Sequence, residues 1–274
     1  MPLIDWMPPA KGPRKRFERR YNAMKQLSVD YARNDFETRY PGVAFAPVLV
    51  IIAAYYEADN IGPVLAAVPS EVEGLAVSTL VVIDGGDDGT EDVCTKHGAF
   101  WAKFSTNLGH GVALRLGYEL AIAKGAEYVV TLDADGQNDP SEMGQFLAPI
   151  IADEYDFVVA SRRLGVDHTS DQLRKTGVRV FAAVINRLAK QHLTDTSNGY
   201  RALRIDVLKD VHLEQDQYQT AELIISAASR GWRIGERPTV WLPRTSGESK
   251  KGSNLLYGPR YASVIARTWL RERR

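Results

Sequence analysis

Four short apolar runs, each followed by a loop and then by a helical pattern, constrain the fold of this chain more than any other feature. They are Val48-Leu49-Val50-Ile51-Ile52-Ala53, Leu80-Val81-Val82-Ile83, Tyr128-Val129-Val130-Thr131-Leu132 and Phe157-Val158-Val159-Ala160-Ser161. None alternates with polar residues, so each reads as a strand buried on both faces, the condition met in a parallel sheet between two helical layers. Residues 99–104 add a shorter strand. Helical patterns lie between the strands: one opens at Asp59-Asn60-Ile61, one runs through Cys94, a long one covers 112–124, and another follows Pro140. Strand, helix and strand in repetition imply right-handed crossovers and a mainly parallel α/β sheet.

Ligands of such open sheets collect beyond the carboxyl ends of the strands. The loops Tyr55-Tyr56-Glu57, Asp84-Gly85-Gly86-Asp87-Asp88, Gly109-His110-Gly111 and Asp133-Ala134-Asp135-Gly136-Gln137 should therefore face one crevice. Asp133 and Asp135 are two apart at a strand tip and can project the same way. Gln137 continues the spacing with a neutral oxygen. Two carboxylates and an amide suit a divalent cation that shares its shell with water and substrate phosphates, so Mg2+ or Mn2+ fits better than zinc. The same residues also read as a solvated Asp/Gly turn. No Gly-x-Gly-x-x-Gly follows the first strand and no Gly-Lys-Ser/Thr loop occurs, which argues against a dinucleotide cofactor and a P-loop hydrolase. Acidic strand tips repel a bare phosphate and need an intervening cation.

Within the 274 residues the formal net charge is zero, which argues against a nucleic-acid partner. The single Cys94 excludes an internal disulfide and a cysteine-clustered zinc site. No window reaches the roughly 18 apolar residues of a spanning helix, and the polar, proline-broken start is unlike a signal sequence, so a cytoplasmic protein is expected, with peripheral membrane contact as a further option. Arg14, Lys15, Arg16, Arg19 and Arg20 stand against Glu18 alone, a pattern of a solvated face or of an arm for an anionic membrane surface. Residues 1–46 read as a basic, partly helical extension, with the helix between Arg14 and Leu27. Residues 47–254 form the catalytic domain and 255–274 a carboxy-terminal amphipathic helix, whose apolar Tyr261, Val264, Ile265 and Trp269 oppose Arg260, Arg267 and Arg271.

Ala53-Ala54-Tyr55-Tyr56-Glu57-Ala58-Asp59-Asn60, the 84–90 loop, Asn107-Leu108-Gly109-His110-Gly111-Val112-Ala113-Leu114-Arg115, the 133–140 loop, Ser161-Arg162 and Asn198-Gly199-Tyr200-Arg201 occur in one order. In that order the chain resembles glycosyltransferase family two, most closely the dolichol-phosphate mannose synthase and polyprenyl-phosphate glycosyltransferase branch. The resemblance implies the GT-A fold, a Rossmann-like mainly parallel α/β sheet with helices on both faces. It also implies an inverting, metal-dependent glycosyltransferase that moves a sugar from a nucleoside diphosphate sugar, UDP before GDP, to a polyprenyl phosphate.

By the same resemblance, Ala53, Tyr55, Glu57, Asp84, Arg115, Asp133 and Lys250 bind the donor nucleotide, and Asp135 and Gln137 hold Mg2+ or Mn2+. Asp133, Asp135, Arg162 and Arg174 carry catalysis, the two arginines orienting an acceptor phosphate that needs no general base. The Ser249-Lys250 loop would close over the diphosphate. The family's usual Pro and Asn are Ala53 and Tyr56 here, and the second motif's first Asp is Ile83. A soluble small-molecule acceptor and a nucleotide-sugar binding protein without turnover are the rival expectations. For a carbohydrate or alcohol acceptor Glu222 is the available base, although it also reads as a helix-surface glutamate. Donor sugar, acceptor and oligomeric state stay open.

Overall fold

The computed structural model describes residues 13–168, 172–244 and 254–273, without the side chains of 13–18, 172–175 and 254–257. In chain order the elements begin with α1 (Pro13–Arg39), β1 (Val48–Ala54), α2 (Ala58–Ala67), β2 (Glu71–Val72), β3 (Leu75–Ile83), α3 (Thr90–Lys96), β4 (Phe100–Lys103) and α4 (His110–Ala123). Then come β5 (Tyr128–Asp133), α5 (Met143–Ile151), β6 (Phe157–Asp167), α6 (Gln172–Ala189), β7 (Arg201–Arg204), α7 (Ile205–Asp210), α8 (Gln219–Ser229), β8 (Ile234–Trp241) and α9 (Asn254–Arg271).

Among the described residues, eight strands make one sheet in the order β2-β3-β1-β5-β7-β6-β8, with β4 also paired to β3. β4, β3, β1 and β5 are mutually parallel, and so are β6 and β8. β7 runs against both β5 and β6, and β2 folds back on β3. All four apolar runs are strands, as their composition predicts. β6 continues past Ser161 to Asp167 through an irregular register against β8.

Alternation along each strand sends neighbouring side chains to opposite faces. Leu49, Ile51, Leu80, Val82, Val129, Phe157 and Val159 pack with α1, α4, α8 and α9 on one side. Val48, Val50, Ile52, Val81, Ile83, Val130 and Val158 pack with residues of α2, α3 and α5 on the other. Cys94 is buried there, and burial pushes its thiol up to about 12, consistent with packing.

The amino-terminal helix is longer than its sequence predicts, because its second half has a core to bury against. Ala32 and Phe36 are fully buried, and the Phe36, Tyr40, Phe100 and Phe45 rings close a circle of tilted and edge-on contacts. α9 likewise buries Tyr261, Val264 and Ile265.

The close approach of α4 to β1 is made at Gly117, where a Cβ would lie 2.6 Å from Ile51 Cγ2. Gly117→Val should therefore destabilise the fold by about 2 kcal/mol or more through overpacking, read as a lowered denaturation midpoint with an unchanged slope.

Candidate active site

The carboxyl ends of β1, β3 and β5, continued by the loops after β4 and β8, gather acidic and basic side chains around one crevice. Glu57, after β1, is 7 % exposed and accepts from Asn60 Nδ2 at 2.7 Å. Its Oε1 lies 2.5 Å from Arg244 Nη2, a contact between residues 187 apart in the chain. Arg244 Nη1 lies 3.7 Å from Asp135 Oδ2. One guanidinium thus stands between the loop after β1 and the loop after β5, so those loops share a pocket that accommodates positive charge.

Asp133 and Asp135 keep different company. Asp133 is paired in register with Ala53 of β1, and its Oδ1 lies 3.8 Å from His110 Nε2 at the start of α4. Asp135 Oδ1 accepts from the Gln137 backbone N–H at 3.2 Å. Gln137 Nε2 donates to Leu242 O at 3.1 Å, and since a carbonyl can only accept, the amide nitrogen must face that way. Its Oε1 is then the end turned from Leu242.

No group of three or more His, Cys, Asp or Glu side chains gathers in metal-binding geometry among the described residues. The donor set offered to a cation is therefore hard and small, a carboxylate and an amide oxygen with Asp133 nearby. Asn138, 2 % exposed, has neither end of its amide hydrogen-bonded among the described residues, an orphaned buried group in the same loop. These residues fit a cation of the Mg2+ or Mn2+ type that completes its shell elsewhere.

Asp84 is 4 % exposed at the tip of β3. Its Oδ1 accepts from Leu108 N–H at 2.7 Å and Gly109 N–H at 3.2 Å, and its Oδ2 accepts from Asn107 Nδ2 and Gly109 N–H, both at 2.9 Å. Both oxygens are engaged by the loop before α4, so Asp84 holds that loop. Burial raises its pKa from 3.8 to about 6, against the pull of the Leu108 and Gly109 amides.

Glycines at the start of α4 have a direct cause. A Cβ on Gly109 would meet Asp216 O at 2.6 Å, and one on Gly111 would meet Gln215 O at 2.3 Å. Arg115 donates to Gln215 O at 2.6 Å and to Asp216 Oδ1 at 2.7 Å, while Lys25 of α1 reaches the same carboxylate at 2.8 Å. Arg115 is thus tied to the 215–216 loop.

Tyr56 stands at φ +54°, a left-handed conformation that asparagine tolerates better, with its ring over Gly86 and edge-on to Tyr55 at 4.6 Å.

Arg162 is buried rather than on the surface. Its Nε and Nη2 meet Asp195 Oδ2 and Oδ1 at 2.6 and 2.9 Å, and Nη2 also donates to Ser197 Oγ at 2.7 Å. Burial opposes its charge, but the Asp195 carboxylate outweighs that and raises its pKa. Glu236 in turn accepts from the Thr194 and Asp195 backbone amides. Arg174 falls in the first turn of α6, where its side chain lies outside the described ones, and Lys250 lies outside the described residues with the rest of its loop.

Glu222 is neither on the surface nor available as a base. It is fully buried, accepts from the backbone amides of Glu214 and Gln215 at 2.9 and 3.0 Å, and meets Arg271 Nη1 of α9 at 2.8 Å. That correction follows from a helix far along the chain closing over it.

The Asn198-Gly199-Tyr200-Arg201 motif braces the acidic loop from behind. Thr131 Oγ1 donates to Gly199 O at 2.7 Å, and a Cβ on Gly199 would lie 2.8 Å from Asp133 Oδ1. Tyr200 donates its hydroxyl to Asp139 O and Pro140 O at 3.1 and 3.2 Å. Arg201, 2 % exposed, donates to the carbonyls of Asn198, Thr196 and Thr220.

Sequence comparison matches this architecture. Residues 49–212 match the pattern of the family described as glycosyl transferase family 2. The chain belongs to that family. A dolichyl-phosphate hexose transferase of Haloferax volcanii is 32 % identical over 75 % of this chain and 87 % of its own length. An undecaprenyl-phosphate mannosyltransferase of Micrococcus luteus is 27 % identical over 76 % and 87 %. These relatives are of the polyprenyl-phosphate branch, and the chain is a glycosyltransferase with the GT-A fold. Among solved structures, glucosyl-3-phosphoglycerate synthase of Mycobacterium tuberculosis, in complex with Mn2+, UDP and glucosyl-3-phosphoglycerate, superimposes with a TM-score of 0.62 at 19 % identity, covering 87 % of this chain and 83 % of that one.

Two outcomes follow for this glycosyltransferase. Gly199→Ala keeps a compatible backbone but must displace the Asp133 carboxylate, so turnover should fall by about two orders of magnitude with little change in melting temperature. For Asp84 the folded pKa lies above the unfolded one, so the folded state binds more protons between pH 3.8 and about 6, and stability is lost as pH rises through that window. At roughly 1.4 kcal/mol per pH unit the loss is up to about 3 kcal/mol, and denaturant titrations across this range should show it in the wild type and not in Asp84→Asn.

Proposed function

We propose that this enzyme moves a sugar from a nucleoside diphosphate sugar, UDP ahead of GDP, to the phosphate of a polyprenyl phosphate, with inversion at the anomeric carbon. The observation that carries the reading is the crevice in which Glu57 and Asp135 share the Arg244 guanidinium, a pocket already suited to the charge of a cation–diphosphate pair. The lipid-phosphate names of the relatives above support the acceptor. A relative from Methanococcus voltae named UDP-N-acetylglucosamine–dolichyl-phosphate N-acetylglucosaminyltransferase, 31 % identical over 57 % of this chain, supports UDP.

In this reading Tyr55 and Glu57 meet the nucleoside, and Asp84 acts by fixing the 107–109 loop beside them. Asp135 and Gln137 hold Mg2+ or Mn2+, which supplies charge neutralisation to the departing diphosphate. Fold neighbours were captured with each of these ions and UDP. Asp133 faces the donor sugar, steadied by Gly199 and near His110. Arg244, at the entrance to the Ser249-Lys250 loop, exchanges its acidic partners for the diphosphate when the donor arrives.

An acceptor phosphate is anionic at neutral pH, so its oxygen attacks the anomeric carbon without a general base. The bond from that carbon to the diphosphate oxygen breaks, and the nucleoside diphosphate leaves with the electron pair. The attack requires no covalent nucleophile from the protein, and a single displacement inverts the centre. Arg174, in the first turn of α6, and Arg162, held rigid by Asp195, orient the acceptor phosphate.

A second reading, a small phosphorylated acid as acceptor, is favoured by the fold neighbour's complex with phosphoglyceric acid, although at 18 % identity that likeness concerns the fold. Phase partition of labelled product separates the two: label in the organic phase supports the polyprenyl phosphate, and label kept in water on a phosphorylated acid overturns it. Asp135→Ala should lower transfer by about three orders of magnitude and remove the Mn2+-dependent rise in melting temperature given by UDP, with the fold intact. Full activity in that variant would refute the metal assignment.

A further inference from the structure

The family match begins at residue 49, so α1 lies outside it, and its geometry points to a use of its own. Ser28 Oγ bonds Ser105 Oγ at 2.9 Å and accepts from the Ser105 amide at 3.1 Å, just beyond the carboxyl end of β4. Tyr40, past the other end of α1, packs on Phe100 where β4 begins, with ring centroids 5.0 Å apart. Pairings with α4 run the same way: Lys25 reaches the Asp216 carboxylate that Arg115 holds, Arg33 meets Glu119, and Glu37 meets Lys124. α1 thus runs against the parallel strands, and its amino-terminal half points past the carboxyl edge, the edge where the active site lies. Lys25 still reaches Asp216 and the Tyr21 hydroxyl is buried, so at 1.5 Å per residue the part of the helix clear of the domain, from Arg20 back to Pro13, is roughly 11 Å long.

Charge and polarity divide along the helix in the same sense. The acids Asp30, Asp35 and Glu37 sit in the half against the domain, each facing a cation: Arg33, Arg39 and Lys124. The projecting part has Arg14, Lys15, Arg16, Arg19 and Arg20 against Glu18, in a chain whose formal net charge is zero. Met24, Leu27 and Tyr31, three and four residues apart on one helical face, are 49 %, 71 % and 62 % exposed, while Ser28 and Ala32, roughly a quarter turn further round the helix, are buried. Arg20, one turn before Met24, is exposed on the same side. A helix that needs the domain only on one face has no packing reason to present Met, Leu and Tyr beside it.

We propose that α1, from its amino-terminal end through Tyr31, is a docking arm for an anionic lipid surface, with Met24, Leu27 and Tyr31 entering the headgroup boundary and Arg19 and Arg20 meeting lipid phosphates. Charge complementarity selects this occupant: a second copy would bring two clusters of like charge together, and a nucleic acid would use the cations but not the apolar stripe. No helix among the described residues is long and apolar enough to cross a membrane, so an arm lying on the surface is the form of contact the fold offers. The arm projects from the active-site rim, so docking would present the crevice to the layer in which a lipid phosphate resides. The purpose of the arm rests on the polyprenyl-phosphate reading, whereas the contact itself does not.

Co-sedimentation of the full chain with vesicles free of polyprenyl phosphate tests the contact separately. Wild type should bind vesicles of phosphatidylcholine with phosphatidylglycerol and not those of phosphatidylcholine alone. Arg19→Glu/Arg20→Glu should weaken that binding by about thirtyfold or more, the effect of removing two cations from an anionic surface. Leu27→Glu should weaken it as well. Both variants alter exposed side chains remote from the crevice, so their melting temperatures, and transfer to a short water-soluble polyprenyl phosphate, should match wild type. Equal partition of wild type and variants, or a dimer that Leu27→Glu dissolves without change in vesicle binding, would overturn the arm. Vesicle binding with no transfer to any polyprenyl phosphate would keep the arm and remove the acceptor reading.

Discussion

The site depends on acidic side chains being held close together in a partly dehydrated crevice, and that arrangement is tolerable only with positive charge between them. A carboxylate removed from water loses several kcal/mol of hydration unless a partner replaces it. Here Arg244 supplies the partner to Glu57 and Asp135 together. A protein that used Arg244 only for stability would gain little from placing it between two strand-end loops 78 residues apart in sequence, Glu57 and Asp135. On the proposed reading, in which the pocket receives a cation and a diphosphate, there is reason to keep a replaceable cation there.

The remaining ion pairs separate by depth. Arg162 and Asp195 form a buried bidentate pair whose loss on one side would strand a charge, so it fixes the guanidinium in one geometry. Arg233 with Asp153 and Asp156, and Arg204 beside them, lie nearer the surface on the edge opposite the crevice, where pairs contribute little. Asp216 occupies a middle position. It takes Lys25 from α1 and Arg115 from α4, and its carbonyl accepts from Gly111 N–H at 2.9 Å, so one residue joins the amino-terminal helix to the loop that Asp84 fixes.

What could be read from the sequence follows from which constraints are local. β1, β3 and β5 declare themselves because burial on both faces forces uninterrupted apolar runs. β7 does not: Arg201-Ala-Leu-Arg204 begins with a charge, and only the carbonyls of Thr196, Asn198 and Thr220 make that burial possible. β8 carries Glu236, Arg237 and Pro238, which its place at the end of the sheet order allows and which hide it from a search for apolar runs. The acidic loops are legible as strand tips facing one crevice. Their partners are not, since Arg244 reaches Glu57 across 187 residues and Asp195 reaches Arg162 across 33. Glu222 misleads because helical periodicity reports one helix and says nothing of Arg271 arriving from another.

The Asn198-Gly199-Tyr200-Arg201 motif shows how a recognisable sequence can be structural and functional at once. Burial lowers the Arg201 pKa to about 10, which still leaves it charged at neutral pH, and a full charge in the core is costly unless its donors are satisfied. Three carbonyls satisfy them and thereby fix the 196–198 backbone. With that backbone fixed, Gly199 can lie against Asp133 without a side chain, and Tyr200 can reach the carbonyls of Asp139 and Pro140 on the far side of the same acidic loop. The motif therefore holds both ends of the 133–140 loop while contributing no carboxylate to it. Bracing of this kind dictates the residue types, since it needs an arginine long enough to span three carbonyls, a glycine for close approach, and a tyrosine whose hydroxyl bridges two.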